Sequence, residues 1–167
     1  MAGEGGVGFG VETGREVAGR SKEAPAPGTQ SGIVVGGGNL GRGRSSQERG
    51  RVKADQIGMV ATVMNCLYAS EIFRGEGMDT SIYAPYPVGL YTENFNKDKF
   101  NRDLAEGKVV FYAGGTGHPY FSTDMAIALR AVETDCACIL MAQSVDGVYG
   151  DAPLKHTQAT RVDARPY

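Results

Sequence analysis

The chain has 167 residues, 41% hydrophobic and 22% charged, with a formal net charge of −2 and a pI near 5.7. That suffices for one domain with a real core, is short for two, and is too acidic for a broadly basic surface that grips nucleic acid. No apolar stretch approaches membrane-spanning length and no signal-peptide core opens the chain, so the expectation is a cytoplasmic protein away from membranes.

Met1 to Gly32 opens glycine-rich, then turns charged, and Pro25 and Pro27 interrupt it. Its apolar positions lack helical spacing, so it reads as loop with at most a short helix around Glu12 to Lys22. A strand follows at Ile33–Val35, then the glycine loop Gly36-Gly37-Gly38-Asn39-Leu40-Gly41-Arg42-Gly43. A charged stretch leads to a helix beginning near Asp55; Ile57, Val60, Val63, Met64 and Leu67 make it apolar on most sides and point to a buried core helix. A strand at Thr80–Ala84 precedes a short charged helix over Lys97–Ala105, closed by Gly107. The strand Lys108–Ala113 runs into a second glycine loop at Gly114-Gly115-Thr116-Gly117. A helix from Asp124 to about Thr134 places Met125, Leu129 and Val132 on one face, and a further strand is expected at Cys136–Ala142. Beyond a turn at Asp146-Gly147 the tail shows no periodic element. Strand–helix alternation predicts an α/β fold with a mainly parallel sheet covered by helices.

Cys66, Cys136 and Cys138 read as buried thiols in a reducing compartment. Cys-x-Cys supplies two ligands and no partner cluster, so no metal site is expected.

Both glycine loops follow strands and lead towards helices. Main-chain N–H groups of glycine approach a phosphate closely, and a helix start adds unpaired donors, so the pair suggests a phosphorylated substrate. Neither loop is a P-loop, and tight strand exits explain such glycines equally well. Arg42 favours the phosphate reading. Asp55 reads first as a helix N-cap, with ribose hydroxyls as its other partners. His118, in a Gly-His-Pro turn, reads as a loop residue. The run Tyr120-Phe121-Ser122-Thr123-Asp124 is either a capped helix start or a cradle for a nucleoside monophosphate.

Four ordered blocks together resemble the uridylate kinase (UMP kinase) branch of the amino acid kinase family. They are Val34 to Asn39 with Arg42-Gly43; Ala54-Asp55-Gln56-Ile57-Gly58-Met59 through Asn65; Ala113 through Asp124; and Leu140-Met141-Ala142 with Val145-Asp146-Gly147-Val148-Tyr149. The resemblance implies a three-layer α/β/α sandwich, a cytoplasmic hexamer, a possible GTP effector, and transfer of the ATP γ-phosphoryl group to UMP with Mg²⁺. It assigns UMP to Gly37, Asp55, Thr116, Gly117, His118, Pro119, Tyr120, Phe121, Ser122 and Thr123. It assigns ATP to Gly38, Arg42 and Tyr149, and catalytic roles to Arg42 and Asp124. It divides a single domain into an N-terminal segment (1–32), a UMP-side core (33–123) and the start of an ATP-side portion (124–167), incomplete at both ends.

Departures from the family pattern fall on the ATP side. A first-strand Lys-x-Ser-Gly loop has no counterpart, Gln143-Ser144 stand where a second lysine is expected, and Gly150-Asp151-Ala152-Pro153 replace an Asp-x-Asp-Pro pattern. Gly41 stands in place of a bulky aromatic. The alternative is therefore a nucleotide-binding remnant or oligomer-forming subunit that lacks the phosphate-facing lysines.

Overall fold

A computed structural model of the chain describes residues 8–23, 28–40, 50–142, 148–149 and 160–162. Two compact units divide it, Met1–Ala137 and Cys138–Tyr167. The first contains α1 (Val11–Lys22), β1 (Gly32–Val34), α2 (Arg51–Gly75), β2 (Thr80–Ala84), β3 (Glu93–Asn94), α3 (Lys97–Ala105), β4 (Val109–Tyr112) and α4 (Thr123–Glu133). The second contains the antiparallel pair β5 (Val148–Tyr149) and β6 (Arg161–Val162), which the sequence reading did not anticipate.

The four-stranded sheet runs β1-β4-β2-β3 and every pairing in it is parallel. Alternate strand residues point to opposite faces. Ile82, Ala84, Phe111 and Ala113 pack with Ala18 of α1 and with Val63, Cys66, Ala69 and Phe73 of α2. Tyr83, Val110 and Tyr112 pack with Phe100 and Leu104 of α3. Arg130 of α4 lies over the rings of Phe95 and Tyr112, which puts α4 on the α3 side. Helices therefore cover both faces, giving the three-layer α/β/α architecture.

Helix α1 occupies the span expected for a short helix, and Gly14 permits its close approach to α2: a Cβ there would fall 2.6 Å from Ile72 Cδ1. Several other local expectations change. Helix α2 starts at Arg51, so Asp55 lies one turn inside it, and its N-cap is Gly50. The helix is not buried on most sides: Ile57, Val60 and Met64 are exposed, because only the Val63–Cys66–Phe73 side meets the sheet. On α4, Met125, Leu129 and Val132 share an exposed face, while Ala126 and Arg130 are buried. Residues 136–142 form no strand. This apolar run has no ladder partner among the described residues. Without that burial Cys136 and Cys138 are exposed, so only Cys66 is the buried thiol expected.

Candidate functional site

Because β1 and β4 are adjacent and parallel, with Val34 opposite Tyr112, both glycine loops leave the same edge of the sheet side by side. That edge is the carboxyl end of the strands, where open α/β sheets bind ligands. The first loop lies on α2: a Cβ on Gly37 would come within 2.5 Å of the Gly58 carbonyl oxygen, so only glycine fits. A Cβ on neighbouring Gly36 would meet Thr123 Oγ1 at 3.7 Å, which brings the first loop beside the start of α4. Ser122 caps that helix, its hydroxyl accepting from the Met125 N–H at 3.3 Å.

The second loop is tied to α2 from its beginning. The Gly114 N–H donates to Thr62 Oγ1 at 2.7 Å, and Thr62 Oγ1 donates to the Met59 carbonyl at 2.6 Å. Gly114 has φ +76° and its missing side chain makes room for Pro85 and Tyr86; a Cβ would lie 2.9 Å from the Tyr86 hydroxyl. Burial pushes that hydroxyl above its ordinary pKa, so it stays protonated against the loop. Thr116 Oγ1 accepts from the His118 N–H at 3.3 Å, closing the turn. At the loop's far end the Tyr120 N–H donates to Asp55 Oδ2 at 2.8 Å. The same oxygen accepts from Arg51 Nε at 2.7 Å, and the Arg51 guanidinium lies 5.0 Å from the centre of the Tyr120 ring.

The structure thus brings together Gly37, Gly38, Asp55, the 114–120 loop, Ser122 and Thr123 around the rim above β1 and β4. His118, Phe121 and Asp124 are exposed, with Asp124 in the first turn of α4. Arg42 lies outside the described residues, as do positions 41, 143–144 and 150–153. Tyr149 lies in β5 of the second unit. Sequence reasoning gave no role to Arg51, whose signal was its place four residues before Asp55 on one helix face. Nor did it give roles to Thr62, Asn39 or Asn65, which it quoted only within motifs.

Chemically, the rim offers main-chain N–H groups, the positive end of α4 and a threonine hydroxyl to an anion, and a carboxylate that accepts hydroxyl donors. Among the described residues no group of three or more His, Cys, Asp or Glu side chains could hold a metal ion, and no helix is long and apolar enough to cross a membrane.

A family model described as the amino acid kinase family matches residues 5–167. Among solved structures, UMP kinase from Bacillus anthracis is similar at a TM-score of 0.84 and 28% identity, over 96% of this chain and 68% of that one. UMP kinase from Ureaplasma parvum is similar at a TM-score of 0.79 and 27% identity, with the same coverage.

Proposed function

The chain belongs to the amino acid kinase family, and from that premise we propose that it is a nucleoside monophosphate kinase that transfers the ATP γ-phosphoryl group to UMP. The observation that carries the reading is the meeting of Gly36 and Thr123, which joins two glycine loops and a helix start into one anion cradle. UMP's phosphate sits at the Gly37 and Gly38 N–H groups and the Thr123 hydroxyl. Its ribose hydroxyls donate to Asp55, and the 116–121 loop frames the base beside the Tyr120 ring. A UMP phosphate oxygen attacks Pγ of ATP, the bond from Pγ to the β,γ-bridging oxygen breaks, and ADP and UDP leave.

Phosphoryl transfer needs positioning and cations more than covalent chemistry from the protein. In this reading Arg42 and Asp124 take the catalytic roles that the resemblance implies, with Gly38 on the ATP side. Mg²⁺ bound with the donor nucleotide would supply positive charge that offsets the transferring phosphoryl group. A homo-oligomer, a hexamer in the family, and activation by GTP belong to the same proposal.

A second reading is nucleotide binding without turnover. Gln143 and Ser144, where the family pattern has a lysine, favour it. A coupled ADP-release assay with UMP and Mg²⁺, run beside UMP calorimetry, separates the two. UMP-dependent ADP release supports the kinase; UMP binding without release supports the second reading; neither signal overturns both.

A further inference from the structure

Beneath the first glycine loop, Asn39 and Asn65 form a reciprocal amide pair. Asn65 Nδ2 donates to Asn39 Oδ1 at 2.6 Å, and Asn39 Nδ2 donates back to Asn65 Oδ1 at 3.1 Å. Each amide nitrogen also reaches a main-chain carbonyl: Asn65 Nδ2 to Gly36 at 2.6 Å, Asn39 Nδ2 to Gly8 at 2.8 Å. A carbonyl only accepts, so these contacts fix which end of each amide is nitrogen. Asn65 is 5% exposed, on a part of α2 otherwise packed with Ala61, Val63 and Cys66. A primary amide is costly there unless it is hydrogen-bonded, and packing alone would be served by an apolar side chain.

The consequence is for the peptide planes of the loop. Three successive glycines have the least restricted backbone a chain can have, so their planes need outside anchors. In a trans peptide the carbonyl and the following N–H point in opposite directions. With the Gly36 carbonyl drawn to Asn65, the Gly37 N–H is turned away from α2. The next plane is held as well, since the Gly37 carbonyl accepts from the Leu40 N–H at 3.1 Å, which directs the Gly38 N–H the opposite way. Neither N–H has an acceptor among the described residues.

We propose that Asn65, oriented by Asn39, is a positioning residue that sets the Gly36–Gly37 peptide so that the loop presents its N–H groups to a substrate phosphate. The proposal rests on the reading of the rim as a UMP site. It also gives the N-terminal segment a route to the loop, through the Gly8 carbonyl on Asn39.

The test compares UMP with uridine, which lacks the phosphate, in titrations of wild type, Asn65→Asp and Asn39→Ala followed by NMR. Asn65→Asp keeps the shape but replaces the donor facing the Gly36 carbonyl with an acceptor. The expected result is UMP binding weakened about tenfold or more, the worth of one charge-assisted hydrogen bond, with uridine binding unchanged. Asn39→Ala, which leaves the Gly36 contact in place, shows the same split at smaller size and serves if Asn65→Asp does not fold. Equal weakening of both ligands, or unchanged UMP binding in a folded Asn65→Asp, overturns the positioning role. Failure of wild type to bind UMP removes the underlying site reading, and the proposal with it.

Discussion

The main-chain N–H of Tyr120 donates to the Asp55 carboxylate at 2.8 Å, a contact across 65 positions of sequence. Tyr120 has φ +71°, a conformation that a bulky side chain adopts only when its surroundings hold it there. Asp55 supplies the hold, and Arg51 braces it from one turn away on α2 and from above the Tyr120 ring. The end of the second glycine loop is thereby fastened to the helix that supports the first.

Replacing Asp55 with alanine releases Tyr120 and removes the acceptor proposed for the ribose hydroxyls. UMP affinity is expected to fall by tenfold or more, while the melting temperature drops only slightly, because Tyr120 is exposed and its N–H can turn to water. Asp55→Asn keeps an acceptor oxygen for Tyr120 but loses the charge facing Arg51, and is expected to fall between wild type and alanine. Calorimetry and thermal melts check both.

Two neighbouring glycines should respond differently to the same change. At Gly37 an added methyl meets the Gly58 carbonyl at 2.5 Å and Ala61 Cβ at 3.2 Å, so Gly37→Ala is expected to cost about 1–3 kcal/mol in stability by overpacking. At Gly36 the methyl meets only Thr123 Oγ1 at an ordinary 3.7 Å. Gly36→Ala is therefore expected to melt like wild type yet bind UMP poorly, because the methyl occupies the gap between loop and helix. Denaturant titrations with UMP calorimetry separate the two effects.

On the other side of the sheet, Asp103 accepts from the Tyr83 hydroxyl and from Lys108 Nζ, each at 2.8 Å. Burial alone would raise its pKa, but the hydrogen bonds from Lys108, Ser81 and Tyr83 outweigh it and hold the carboxyl down at about 2, below its ordinary 3.8. The folded state thus binds this proton more weakly than the unfolded state. Its stabilising contribution is complete above pH 3.8 and is lost as pH falls towards 2. Thermal melts between pH 5 and 2 are expected to show that loss in wild type and a shallower fall in Asp103→Asn.

The three thiols are expected to divide in two. Cys66 is buried between α2 and the sheet, and burial pushes its thiol up to about 12, whereas Cys136 and Cys138 are exposed. Titration of the native protein with a thiol reagent should label Cys136 and Cys138 quickly and reach Cys66 only on unfolding.

Much of this frame was legible in the residues. The bounds of β2 and α3 agree with those read from the residues, Thr80–Ala84 and Lys97–Ala105 closed by Gly107, while the Asn96 cap emerges only in the fold. The two glycine loops pointed to one rim because strand–loop–helix alternation implies parallel neighbours. What was hidden depended on partners distant in sequence. Asp55 resembled a cap because Arg51 to Ala54 carry no apolar period, and the early start of α2 emerges only in the fold. Residues 136–142 have strand composition, but a strand needs a ladder partner beside it, and composition does not name one. The Asn39–Asn65 pair joins side chains 26 residues apart, and neither asparagine signals its partner locally.

The sharpest test of the rim as a UMP site is a crystal structure of the chain with UMP. The phosphate is expected within hydrogen-bonding distance of the Gly37 N–H and the Thr123 hydroxyl, with the ribose against Asp55. Saturating UMP that leaves this rim empty, or that binds elsewhere on the molecule, would contradict it.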